Sequence, residues 1–288
     1  MRNDMENNMF FVENEPEVVT EARRRVLEAF RDLEFYEEDH RYVLHGKVLP
    51  SVSGMAERFV RTPFDTERTA ARQADRYGET PAFWIRKWEC NSFRATTLGR
   101  KTHAFGESLG YLRAGHPELI TNDISVQYLA CHNYLAPISP KEEAVVRFFD
   151  ELPDSYHLVL NEAMVYSGKN PDPSQNLKEQ IAGTFDMLYW YDGESDPTKA
   201  GFVILDYKTN ANLYKDYNRQ HHITLRPPLH RIIDEDYGHY IVQLNLYALM
   251  LEDIGLPVIA KRIVWLKDDT TYEIIDVPNI VDTLRKAL

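Results

Sequence analysis

The order of segments between residues 157 and 266 constrains this chain more than any other feature. Leu158–Tyr166, Glu179–Tyr191 and Phe202–Lys208 all read as strands, rich in β-branched and aromatic residues. The links between them, Ser167–Lys178 and Asp192–Gly201, are rich in Pro, Asn, Asp and Gly, so these strands are expected to be joined by hairpins. Residues 237–254 (YGHYIVQLNLYALMLEDI) then form the clearest amphipathic helical pattern. Gly255 and Pro257 stop it, and Ala260–Leu266 returns as a strand. Helix, three strands, helix, strand makes an α/β arrangement in which the middle strands are joined by hairpins.

The first half reads differently. Residues 16–33 carry Val19, Val26, Leu27, Phe30 and Leu33 at helical spacing. Tyr42–His45 and Lys47–Leu49 are expected to pair as a hairpin across Gly46. Pro50 ends the second strand, and Ser51 is placed to cap a helix running through Met55 and Phe59. A largely helical region follows from Thr66 to Ala114, with a short helix at Lys141–Leu152. Charge is uneven along this half. Residues 1–40 hold twelve acidic against five basic side chains, whereas 58–103 are rich in Arg and Lys, either as a solvated helical face or as a phosphate-tracking surface.

Several classes are excluded or disfavoured. With 288 residues and a net charge of −12, the chain can bury a sizeable core but is no non-specific nucleic-acid coat held by bulk charge. The most apolar stretch, near Leu244–Leu251, is far below the roughly 20 residues that span a bilayer. The Asn-rich, acidic start resembles no secretory or transit peptide, so a soluble, cytoplasmic protein is expected. Two cysteines, Cys90 and Cys131, cannot supply a disulfide framework, a four-cysteine zinc site or an iron–sulfur cluster, and are read as small buried hydrophobes. The phosphate-binding G-x-x-x-x-G-K-[ST], H-E-x-x-H, G-x-S-x-G and G-x-G-x-x-G patterns are missing, and His221 and His222 show no zinc-ligand spacing.

The chemistry centres on Asp186 and Asp206. If Glu179–Tyr191 and Phe202–Lys208 pair about a loop centred near Asp196, these two carboxylates face each other. Like charges directly across a strand pair are destabilising, so such a pair is justified by a shared proton or by a divalent cation between them. Lys208, two residues beyond Asp206, points to the same face. Two carboxylates, a cation and an ammonium are the parts needed for metal-assisted phosphodiester hydrolysis; the bland alternative is an exposed strand-end ion pair. His103 lies one helical turn from Glu107, either as a structural histidine or as a ligand from the helical region. Glu162 is a third acidic ligand or an outward-facing strand residue. Gln243 and Tyr247, also one turn apart, are polar positions on a half-buried helix or contacts to a nucleic acid.

Taken together, these residues resemble the PD-(D/E)XK nuclease superfamily, in its RecB-like and phage exonuclease-like branch. LGRKTHAFGE at 98–107 is similar to the G-x-x-x-H-x-x-x-E helix, Glu162 to the strand glutamate that follows it, and AGTFD at 182–186 to the aspartate motif. LDYKTN at 205–210 is similar to the D-x-K motif and YIVQLNLY at 240–247 to the Q-x-x-x-Y helix. YVLHGKVLPSVS at 42–53 is similar to the family's N-terminal hairpin, and LRPPLH before YGHYIVQLNLY to nucleases of large tailed phages. The matching stretch runs from about residue 36 to 266.

The resemblance implies an α/β, restriction-endonuclease-like core with a mixed central sheet flanked by helices, preceded by a largely helical N-terminal region. It also implies an acidic helical extension at 1–35, a hairpin and helical region at 36–156, and a core at 157–288, the last two forming one catalytic unit. His103, Asp186, Asp206 and the Tyr207 carbonyl would hold Mg2+ or Mn2+, with Glu107 and Glu162 serving a second ion or its waters. Lys208 would assist the attacking water. Gln243 and Tyr247, with Arg100 and Lys101, would contact DNA. The implied activity is a metal-dependent exonuclease on DNA ends or single strands in recombination, repair or phage DNA processing, with a helicase or recombination protein as candidate partner and without an iron–sulfur cluster, nucleotide or membrane. The alternatives are a structure-selective endonuclease, an RNA nuclease and a non-catalytic DNA-binding module. DNA would lie in a groove lined by 58–103 and 208–231. The long polar link Ser167–Lys178 would be a surface loop or a substrate-guiding hairpin.

Overall fold

The computed structural model describes residues 15–61, 63–120 and 137–288. A mixed five-stranded sheet of order β4-β5-β6-β7-β8 forms its centre, with a smaller antiparallel sheet, β1-β2-β3, beside it. The large sheet comprises β4 (Tyr156–Tyr166), β5 (Ala182–Tyr191), β6 (Gly201–Lys208), β7 (Val258–Leu266) and β8 (Tyr272–Asp276). β4, β5 and β6 are successive antiparallel hairpins. β6 and β7 are parallel, joined by a crossover that contains helices α6 (Asp216–Gln220) and α7 (Asp236–Asp253), and β8 returns antiparallel.

Helices cover both faces of this sheet. On one side lie α1 (Glu17–Phe30), α2 (Val52–Glu57), α7 and α8 (Val281–Ala287); on the other lie the second half of α4 (Pro81–Arg113) and α5 (Pro140–Glu151). This explains the uninterrupted apolar run Phe202–Leu205. Phe202 and Ile204 pack under α7, while Val203, Leu205 and Tyr207 pack under α4 and α5, so every residue of β6 before Lys208 is buried.

The hairpin register expected from the loop centre is the observed one, Met187↔Leu205 through Tyr191↔Gly201. Ser51 accepts a hydrogen bond from the Gly54 amide and caps α2 as its sequence position indicates. The small hairpin pairs β2 (Arg41–Leu44) with β3 (Lys47–Leu49); β1 (Leu33–Tyr36), added at its edge, was not read from the sequence, nor were β8 and α8.

Two expectations are corrected and an open one is settled. The segment 237–254 is not amphipathic in place: α7 is buried on nearly all sides, because the sheet, α2 and α8 surround it. Cys90 is exposed rather than buried, because the first half of α4 stands clear of the core; Cys131 lies outside the described residues. Of the two readings of the 167–178 link, surface loop or hairpin, the structure shows the loop. It is a loop docked on the C-terminal segment, with the Lys178 amide donating to the Leu288 carbonyl (3.0 Å), Arg285 donating to the Gln175 carbonyl (2.6 Å) and Asn170 donating to Asp253 (2.6 Å). Among the described residues no helix is long and apolar enough to cross a membrane.

Candidate metal centre

The site forms where β6 ends. Continuing the β5–β6 register by one residue sets Asp186 opposite Asp206, and Asp186 Oδ2 accepts a hydrogen bond from the Tyr207 amide at 2.6 Å. Asp206 is wholly buried and ion-paired with Lys208. Apart from that ammonium, no donor among the described residues reaches either Asp206 oxygen. The Lys208 ammonium also lies 4.5 Å from the centre of the Tyr240 ring, and the Tyr240 hydroxyl donates to Asn210 (2.8 Å).

α4 delivers His103 from above the opposite face. Its Nδ1 lies 3.3 Å from Glu162 Oε1 and 3.3 Å from Asp186 Oδ2. Ligand atoms of His103, Glu162 and Asp186 cluster within 4.8 Å of one another, and the two 3.3 Å separations are close to the roughly 3 Å between neighbouring ligand atoms of an octahedral ion with bonds of about 2.1 Å. Glu162 belongs to this group through its backbone. It sits mid-strand with φ +46°, a left-handed conformation that costs a non-glycine residue about 1–3 kcal/mol and that clusters at functional sites. Its neighbours Asn161 and Ala163 pair with Met187 and Phe185, while Glu162 itself is out of the ladder, opposite Asp186.

The electrostatics are those of crowded carboxylates. Burial pushes the Asp206 carboxyl up to about 7, and the adjacent Asp186 adds to the effect. Burial likewise raises Glu162, against the pull of His103. Burial acts against the charge on Asp186, but His103, Lys208 and the Tyr207 amide hold its carboxyl below the usual range. Burial also opposes charge on His103 and Lys208, yet the facing carboxylates hold both above their ordinary values. An imidazolium and an ammonium thus offset two of the three acid charges, and a divalent cation would supply the same two positive charges.

Two glycines set the approach of α4 to the sheet. A Cβ at Gly106 would lie 2.6 Å from Tyr207 Cε2, and one at Gly110 would lie 2.5 Å from Asn161 Nδ2. Tyr111 ties α4 to β4, its hydroxyl donating to the Asn161 carbonyl (2.9 Å) and accepting from the Asn161 amide (2.8 Å). Gly106→Ala should therefore push α4 away from Tyr207 and carry His103 with it. The expected loss is about 1–3 kcal/mol in urea denaturation, with weakened Mn2+ binding by calorimetry; unchanged values in both would remove this role for Gly106.

The remaining residues singled out in the sequence fall in different places. Glu107 is buried on α4 and lies outside the His103–Glu162–Asp186 group. Gln243 is half-buried on α7 and donates to the Tyr247 hydroxyl at 3.3 Å. Tyr247 is buried against Gly183 and Phe185, so of this pair Gln243 is the one with a face open to solvent. Arg100 and Lys101 are exposed on α4, Arg100 in an ion pair with Glu37. Tyr240, whose ring lies against the Lys208 ammonium, and Asn210, which accepts from the Tyr240 hydroxyl, are not singled out by the sequence; Tyr240 lies one turn before Gln243, which is the available signal. No protein-family model matches the chain, and no curated protein matches it.

Proposed function

We propose that the chain is a metal-dependent deoxyribonuclease of the PD-(D/E)XK type, in the RecB-like and phage exonuclease-like branch. The observation that carries this reading is the meeting of Asp186, Asp206, Lys208 and His103 at one strand end. They come from three elements, in a register that opposes two carboxylates. The donor set fits a hard divalent cation: Asp186 with His103 and Glu162 beside it, the facing Asp206 carboxylate, and the Tyr207 carbonyl as a further proposed ligand. Mg2+ or Mn2+ bound there would acidify a water and offset charge on the phosphate.

The chain's own residues do the rest. Lys208, fixed between Asp206 and the Tyr240 ring, keeps its proton. It serves as a hydrogen-bond donor that orients the attacking oxygen and stabilises charge at the phosphoryl oxygens. His103, packed edge-on against Tyr207 at 5.9 Å, holds Asp186 and Glu162 in place from the helical side. Gln243 lies on the neighbouring helix with a free face for the DNA backbone.

Purified protein given Mn2+ or Mg2+ should degrade linear single- or double-stranded DNA, stop in EDTA, and leave a covalently closed single-stranded circle intact. Cutting of the circle would replace the exonuclease reading with an endonuclease. Digestion of RNA alone would change the substrate class. Intact DNA under all metal conditions would overturn the proposal.

A further inference from the structure

α3 (Thr66–Tyr77) packs principally on α4, and among the described residues α4 has no buried residue before Thr102. The two helices therefore make a hairpin that stands off the sheet. Its surface is unusual for a solvated arm. Phe64 and Phe93 are 67% and 73% exposed, and Tyr77 and Phe83 are also exposed. The rings cluster around two tryptophans: Phe64 on Trp88 (5.6 Å), Tyr77 on Trp84 (5.5 Å) and Phe83 on Trp84 (5.6 Å).

Cations are interleaved with these rings. Arg68, Arg72 and Arg76 repeat every four residues along α3, at steps of about 6 Å. Like charges at this spacing repel, and none of the three forms an ion pair among the described residues. By contrast Arg58 and Arg100, nearer the body, are paired with Glu179 and Glu37. On α4, Lys87 lies 4.8 Å from the centre of the Trp84 ring, and Arg86 and Arg94 are exposed. Residues 61–101 carry nine Lys and Arg against five Asp and Glu, in a chain with a net charge of −12. An unneutralised cation row beside exposed rings complements a polyanion whose bases are free to stack. In a duplex the bases are paired and unavailable to such rings.

We propose that the α3–α4 hairpin is a docking platform for single-stranded DNA: bases stack on its exposed rings, and the arginine row tracks the phosphates. Because α4 is continuous, Phe93 lies ten residues, about 15 Å, from His103, so a docked strand is aligned with the candidate metal centre. The role as substrate platform rests on the nuclease reading; the binding itself does not.

The test uses the full chain in EDTA, so that nothing is cut, with fluorescein-labelled dT20 followed by anisotropy. Phe83→Ala/Phe93→Ala should weaken dT20 binding at least tenfold and change binding of a 20-base-pair duplex less than about twofold. Arg68→Gln/Arg72→Gln/Arg76→Gln should weaken both ligands and lower the salt dependence by about two released ions. All these side chains are exposed, and matching melting temperatures would exclude misfolding. Wild-type dT20 binding by the aromatic variant would overturn the proposal. So would tighter duplex than single-strand binding, or variants that lose self-association in sedimentation but keep DNA affinity. Hydrolysis of bis(4-nitrophenyl) phosphate, measured separately with Mn2+, reports the metal centre alone. Its absence would count against the nuclease reading and leave the binding result standing.

Discussion

Lys208→Ala should lower the rate of DNA hydrolysis by about three orders of magnitude while leaving Mn2+ affinity within roughly threefold. The ammonium is the group at the site best placed to donate to an attacking oxygen or a phosphoryl oxygen. It is held there by the Asp206 carboxylate and the Tyr240 ring. Removing it takes away a donor aimed at developing charge, an effect that typically costs 10²–10³ in rate, with a further contribution from lost water orientation. It does not remove a proposed metal ligand, so metal binding should survive. Single-turnover digestion and calorimetric Mn2+ titration of the same variant separate the two effects. Equal rates in wild type and variant would mean that Lys208 has no part in the chemistry. Loss of metal binding together with rate would make it a structural residue of the site.

Arg23→Ala should destabilise the protein by about 3–5 kcal/mol, the range for breaking a buried ion pair. Arg23 is buried in α1, forms a bidentate pair with Glu15 (2.6 and 3.0 Å), and donates to the carbonyls of Val159 (2.9 Å) and Leu158 (3.1 Å). The β4–β5 ladder shifts between Leu158 and Leu160, so β4 is irregular here, and the guanidinium supplies donors to carbonyls at that break. Alanine would remove the bidentate partner of the Glu15 carboxylate, leaving it Thr20 and His116, and would take the guanidinium donors from both carbonyls. Burial pushes Glu15 up, but hydrogen bonds from Arg23 and Thr20 outweigh it and hold the carboxyl below its ordinary 4.5. A depressed carboxyl contributes stability that is complete above pH 4.5 and is lost as pH falls through the folded value. Urea titrations between pH 7 and pH 3 should therefore show a shallower acid decline in Arg23→Ala than in wild type. A variant within 1 kcal/mol of wild type at pH 7 would show that the cluster only decorates β4.

The sequence made the site legible where chemistry and periodicity coincide. Loop-centre arithmetic placed Asp186 against Asp206 because residues facing each other across an antiparallel hairpin have a constant sum of residue numbers. Alternation placed Lys208 with Asp206 because a strand has period two. Glu162 was left between two readings because its place beside His103 depends on a positive φ, and nothing in VLNEAMVY requires a left-handed residue. Gly106 and Gly110, one turn apart in AFGESLG, carried the signal for a close helix–strand approach, but spacing alone does not say which strand they meet. α7 was misread as amphipathic because its few polar side chains are absorbed inside the fold. Asn245, for example, donates to the Ile241 and Pro278 carbonyls and accepts from the Ile280 amide. β8 has no such signal because an edge strand with three of its five residues exposed has no continuous apolar face.

The central claim is that the opposed carboxylates of β5 and β6 form a metal centre. The direct measurement is Mn2+ anomalous scattering from crystals of the full chain soaked with the ion. The account predicts an anomalous peak between Asp186 and Asp206, in contact with both carboxylates, and no peak at this position in Asp206→Asn. Crystals whose Mn2+ peaks lie only elsewhere, or whose peak at Asp186 persists unchanged in Asp206→Asn, would contradict it.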